Sequence, residues 1–251
     1  MKKRSKMLQY LTICISITLI FLLTFTTGAY ADSWVADIDE NMDNNYKILN
    51  HDPVHNIYYP TPQAVEKDGK LYVSWVEYNT SEKVQLRVCE YDQSINAWTF
   101  IDGDGENGLN FNPNNEVAWN ISIAVSNGIL YVAWVEFSPT DPNGYFSHIS
   151  KYNGTPGNWT RIDSGTAYGI RDNTTIQESS PQHYESNHIK IVDYNNKLYA
   201  AWSEYPYGQS NANLIIKSYD GTSWNMISSL PTNSVYSFPD MTVHDYVIYC
   251  L

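Results

Sequence analysis

Hydrophobic and polar positions alternate along this chain in short runs, and one run returns three times. Leu71–Tyr78 reads LYVSWVEY, Leu130–Phe137 reads LYVAWVEF and Leu198–Tyr205 reads LYAAWSEY. Runs of this length, rich in β-branched and aromatic residues with a period near two, predict strands. A short turn precedes each copy: Lys67-Asp68-Gly69, Ser126-Asn127-Gly128 and Tyr194-Asn195-Asn196. Asp-Gly and Asn-Gly pairs between apolar runs predict tight hairpins. A second strand-like run ending in tyrosine follows each copy (Val84–Tyr91, Tyr145–Tyr152, Asn213–Tyr219). A tryptophan then opens a third run, at Trp98, Trp159 and Trp224. Helical periodicity is absent after residue 31.

A unit of strands and turns recurring every ~50–70 residues predicts the blades of a β-propeller, an all-β fold of four-stranded antiparallel sheets. The expected blades are residues 59–118, 119–187 and 188–234, with a partial blade over 235–251. Residues 32–58 hold an orphan outer strand and a linker, because Ser33-Trp34-Val35-Ala36-Asp37-Ile38-Asp39 matches Ala97-Trp98-Thr99-Phe100-Ile101-Asp102. Three blades and a part predict an open ring with exposed strand edges. A truncated product, or a ring completed by another chain, is the expectation that follows.

The motif residues Leu130-Tyr131-Val132-Ala133-Trp134-Val135-Glu136, Lys151-Tyr152-Asn153-Gly154 and Trp159 resemble bacterial extracellular propeller repeats. Such repeats are similar to the Kelch and sialidase-like propeller groups. This sequence departs from both: it lacks the Kelch Gly-Gly doublet, and Ser218–Trp224 misses the sialidase Asp-box by one residue. The resemblance implies a secreted or cell-surface propeller and carries over no catalytic residue.

Composition adds a location. Lys2, Lys3, Arg4 and Lys6 precede an apolar run from Leu8 to about Phe25, and Ala29-Tyr30-Ala31 completes a cleavage signal. Secretion with cleavage after Ala31 is expected; an uncleaved membrane anchor is the alternative. The chain has 15 basic and 27 acidic residues, and losing those four bases takes the balance to 11 − 27 = −16. So acidic a surface argues against nucleic acid and anionic lipid as partners. Cys89 and Cys250 read as small apolar strand residues, with a single bridge as the alternative. The N-x-S/T sites at Asn79, Asn120, Asn153, Asn158 and Asn173 read as loop composition.

Residues present in every blade build blades, since one reaction centre breaks the symmetry of the ring. Trp75, Trp134 and Trp202 are therefore expected in the core, and Trp98, Trp159 and Trp224 as packing anchors. Glu77, Glu136 and Glu204 read as structural carboxylates, with a ring of acids at the channel as the rival. Binding falls instead to unique residues of the long loops at one face: Trp119 at a loop edge, Tyr168, Arg171, His183, Tyr184, Tyr205 and Tyr207. Aromatic rings with Asn, Asp and Arg suit a sugar, so the expected partner is a glycan or an extracellular protein.

The primary reading is a non-catalytic binding module, with a sialidase-like, glycan-active hydrolase as the alternative. Arg87, Arg161 and Arg171 are too few and too scattered for a sialidase arginine cluster. A remnant of a longer propeller without its own activity is the third reading. No metal or cofactor is expected; a weak calcium signal lies in Asp102-Gly103-Asp104-Gly105-Glu106 and Asp37-Ile38-Asp39-Glu40-Asn41. His148, His183, His188 and His244 lack metal-ligand spacing and read as solvated positions.

Overall fold

The computed structural model describes residues 57–103, 105–112, 114, 116–138, 144–163, 169–170, 186–204, 211–232, 239–245 and 247–250. The targeting segment and the predicted orphan strand with its linker lie outside these residues, apart from Ile57 and Tyr58, which open the first strand. The described chain is all-β. Among the described residues no helix is long and apolar enough to cross a membrane.

Three four-stranded sheets and one hairpin follow in order, each sheet a consecutive antiparallel meander. The first contains β1 (Ile57–Lys67), β2 (Lys70–Tyr78), β3 (Val84–Asp92) and β4 (Ala97–Phe100). The second contains β5 (Glu116–Ser126), β6 (Ile129–Ser138), β7 (Gly144–Tyr152) and β8 (Trp159–Arg161). The third contains β9 (Ser186–Tyr194), β10 (Lys197–Glu204), β11 (Asn213–Tyr219) and β12 (Trp224–Pro231), and the hairpin is β13 (Met241–His244) with β14 (Val247–Cys250).

The hairpin turns set the register. Asp68 and Gly69, Asn127 and Gly128, and Asn195 and Asn196 all have positive φ, between 49° and 76°. Two left-handed residues in succession make the turn whose twist matches paired strands. The pairs Lys67–Lys70, Ser126–Ile129 and Tyr194–Lys197 close these turns at the same step of each sheet. One slip in any of them would move the tryptophan of the repeat to the wrong face.

Alternate residues of the repeat strand enter different cores. Leu130, Val132 and Trp134 pack with Tyr72, Val76, Leu86 and Ile101 of the first sheet. Tyr131, Ala133 and Val135 pack with Ile189, Leu198, Ala200 and Trp202 of the third. The second sheet is thus buried on both faces by its neighbours. Strands β1, β5, β9 and β13 stand side by side as the innermost set. Ser122 Oγ of β5 accepts from Ile191 N of β9 at 3.1 Å, a bond between two of these inner strands.

The exit loops double back onto the third strand. Leu109 N donates to Leu86 O at 3.0 Å, and Ile170 N donates to Ser147 O at 2.8 Å. The glycine before each is left-handed, and a Cβ there would stand 2.1 Å from Leu86 O at Gly108 and 2.0 Å from Ser147 O at Gly169. Asn110 extends the first of these contacts, accepting from Leu86 N at 3.0 Å and donating to Val84 O at 3.1 Å. Gly169→Ala should therefore destabilise by about 1–3 kcal/mol from backbone strain and displacement together. Gly69→Ala, equally left-handed but in open space, is the milder control. Urea unfolding of both variants checks this, and equal losses would refute the role given to the close approach.

The sequence places Trp119 at a loop edge, but it lies within β5, because the inner strand extends from Glu116. Cys89 is buried and Cys250 half-buried, and both are free thiols.

Candidate functional site

The two ends of the sheets differ. At one end the strands are joined by the short turns just described. At the other lie the longer connections, such as those spanning 101–115, 162–185 and 205–212. The inner strands β1, β5 and β9 are irregular near this second end. From Tyr59 to Gln63 β1 advances four residues while β2 advances two, Val76 to Ser74. From Val117 to Ile121 β5 advances four against two, Glu136 to Trp134. From Asn187 to Lys190 β9 advances three against two, Ser203 to Ala201. The bulges sit at or beside the repeat tryptophan in all three sheets. Bulges re-aim side chains and bend strands, and they recur beside active sites.

The bulge of β9 contains His188, whose φ of 59° is left-handed, an uncommon state for a residue other than glycine. Burial pushes its pKa down from 6.5 to about 4, so the imidazole is neutral at physiological pH. The bulge of β5 contains Asn120, whose Oδ1 is buried with no hydrogen-bond partner among the described residues. Ser122 and Ile191, two and three residues further along, tie the same two strands together. Two uncharged hydrogen-bonding side chains therefore stand on bulges of neighbouring inner strands. The nearby carboxylates have lysine partners: Glu116 lies 2.9 Å from Lys83 Nζ, and Asp240 lies 3.6 Å from Lys190 Nζ.

The pKa of His188 predicts a pH dependence. Its folded value lies below its unfolded value, so the unfolded chain takes up the proton first. Stability from the neutral ring is complete above pH 6.5 and drains as pH falls from 6.5 towards about 4. His188→Gln should flatten that limb of the stability–pH profile, measured by urea midpoints at half-unit steps. An unchanged slope would overturn the assignment.

The repeated glutamates have a different task. Trp75 Nε1 donates to Glu77 at 3.0 Å, Trp134 Nε1 to Glu136 at 2.9 Å and Trp202 Nε1 to Glu204 at 3.0 Å. A spacing of two puts indole and carboxylate on one face of the strand, where they meet. Glu136 also accepts the backbone N–H groups of Phe111 and Asn112 in the preceding exit loop. Opposite the three tryptophans on the third strand stand Arg87, His148 and Ile215. Arg87 is fully buried and donates to Glu77 at 3.0 Å, with Asp102 at 3.6 Å.

His148 is also fully buried, not solvated, because its strand lies between two sheets; its Nδ1 is 3.0 Å from Asp163. Burial raises the Asp163 carboxyl, but bonds from His148 and Arg161 outweigh it and hold the pKa below the usual range. The guanidinium of Arg161 lies 3.9 Å above the Phe111 ring.

The residues singled out in the loops fare differently. Tyr168, Arg171, His183, Tyr184, Tyr205 and Tyr207 lie outside the described residues, as does the side chain of Trp119. His188, read as a solvated position, is instead half-buried in the bulge of β9, which shows only against its partner strand. Asp102, part of the weak calcium signal, accepts from Val88 N at 3.1 Å. Among the described residues no three His, Cys, Asp or Glu side chains gather into a metal-binding group.

A cleft of about 600 Å³ lies at the short-turn end, between the first two sheets. Its polar groups satisfy one another: Lys70 bridges Glu90 at 2.5 Å and Asp92 at 3.2 Å, and Tyr72 donates to Glu90 at 2.8 Å.

No family model and no curated protein matches the chain. Solved structures do. The α-L-arabinofuranosidase Arb93A of Fusarium graminearum, in complex with an iminosugar inhibitor, superposes with a TM-score of 0.52 at 12% identity, over 76% of this chain and 53% of that one. The fold is a β-propeller. The α-L-arabinanase of Penicillium chrysogenum, complexed with arabinobiose, is similar at TM-score 0.48 and 13% identity, over 74% and 55% of the two chains. An exo-β-1,3-galactanase of Clostridium thermocellum follows at 0.49 and 12%, over 72% and 39%. The propeller described here spans about half the length of the first two of these structures.

Proposed function

We propose that this propeller is a secreted, glycan-active protein, a glycoside hydrolase whose site is the axial mouth at the long-loop end. The observation that carries the reading is the placement of Asn120 and neutral His188 on adjacent bulges of β5 and β9. Uncharged groups that both donate and accept suit the hydroxyls of a neutral sugar better than a charged ligand. The likeness to an arabinofuranosidase supports a glycan as the class of substrate. Glycoside hydrolysis needs two carboxylates flanking the scissile bond. Glu116 and Asp240 are the described acids to test, being at the inner strands and outside the indole bonds of the repeat.

A second reading, glycan binding without turnover, is favoured by one observation. The three carboxylates that the repeat sets near the mouth each accept an indole N–H. A panel of chromogenic glycosides, run beside a glycan array, separates the two. Turnover that Glu116→Gln or Asp240→Asn abolishes supports hydrolysis. Array binding without turnover supports the second reading, and silence on both defeats the proposal.

A further inference from the structure

The outer strand of each blade reaches an isoleucine three residues after its tryptophan: Ile101, Ile162 and Ile227. In the first two blades that residue is the seat of the next blade. Ile101 is 1% and Ile162 8% exposed. The indole N–H of Trp159 donates to Ile101 O at 2.7 Å, and that of Trp224 donates to Ile162 O at 2.7 Å. Gly157 N adds a bond to Ile101 O at 3.0 Å. The contact is a repeated rim latch, with the tryptophan of one outer strand on the isoleucine carbonyl of the strand before.

Among the described residues Ile227 has the position without the cover. It is 55% exposed, and Met226 and Leu230 beside it are 43% and 52% exposed. The register of β12 on β11 passes from Met226 to Ser228 across this residue, so Ile227 is the extra residue of a bulge, outside the ladder. On the hairpin, Tyr249 stands two residues into β14 from its turn, as Tyr72 does in β2 and Tyr131 in β6. It is 44% exposed where those two are 4%. Strand β14 pairs with β13 alone among the described residues, while β2, β6 and β10 each have a partner on both sides.

We propose that this face receives one more β-hairpin of blade type. Its first strand pairs with β14, and its second carries a tryptophan whose indole N–H latches onto Ile227 O. An unpaired strand edge beside an apolar sheet face is answered by another strand, through backbone bonds and alternate side-chain pockets. A sugar or a lipid surface would leave the edge of β14 unpaired. The two complete interfaces of this chain supply the template for the occupant: the hairpin of β7 and β8, with Trp159 at the head of its outer strand.

The test extends the full chain. A copy of residues 134–163 joined after Leu251 continues β14 in register, since Ala133 corresponds to Leu251. The extended protein should melt at a higher temperature and lose most of its binding of an apolar dye such as anilinonaphthalene sulfonate. Alanine at the tryptophan of the appended outer strand should remove most of that gain. Ile227→Asp should abolish the gain in the extended protein and change little in the unextended one. Unchanged melting and dye binding on extension, or a gain indifferent to both substitutions, would overturn the proposal.

Discussion

Replacing Trp134 by alanine is expected to remove about 3–5 kcal/mol of stability, the usual loss for a large aromatic truncated in a core. The side chain is 1% exposed and sits where the first and second blades meet. Its indole N–H also reaches Glu136, so the variant leaves that carboxylate one donor short. A typical domain has a stability of only about 5–15 kcal/mol, so the alanine variant should lose a large share of it. Trp134→Phe separates the two effects. It keeps most of the ring but loses the donor, and should give up about 1–3 kcal/mol. Urea unfolding followed by far-ultraviolet circular dichroism measures both, and an alanine variant within 1 kcal/mol of the parent would remove Trp134 from the core argument.

Arg87→Met should be comparably damaging for an electrostatic reason. Both side chains of the Arg87–Glu77 pair are essentially inaccessible, and Asp102 beside them is buried too. Removing one partner of a buried pair typically destabilises by about 3–5 kcal/mol, because the other charge is left without compensation. The same argument predicts rescue. Arg87→Met combined with Glu77→Gln should be more stable than Arg87→Met alone, since one of the two carboxylates left behind is neutralised while Trp75 keeps an acceptor. In the third blade Ile215 stands at the position of Arg87, and Glu204 keeps its indole bond. A double variant no better than the single one would show that packing of the arginine stem, not charge, sets the loss.

The strands and the turns before the repeat were readable in the sequence because their determinants are local. Asp-Gly, Asn-Gly and Asn-Asn at the turns demand left-handed backbone, and a period of two brings Trp75 to Glu77 without help from the rest of the fold. The bulges were not readable. Neither Ala118-Trp119-Asn120 nor His188 carries the glycine that often marks such a kink, and the extra residues exist only relative to the partner strand. His148 was misread for a related reason. Arg87, His148 and Ile215 share one position, and a residue type that changes among blades looks like a surface choice when burial is set by the neighbouring blade. Gly108 and Asn110 escaped notice because the strand they prolong is made of loop residues, folded back by hydrogen bonds rather than by apolar patterning.

The latch and the inner-strand bond together limit how the blades can move. The second and third blades are joined at the perimeter by Trp224 on Ile162, and near the centre by Ile191 on Ser122. A joint fastened at both radii cannot gape like a jaw about either one. The second and third blades should therefore move as one body.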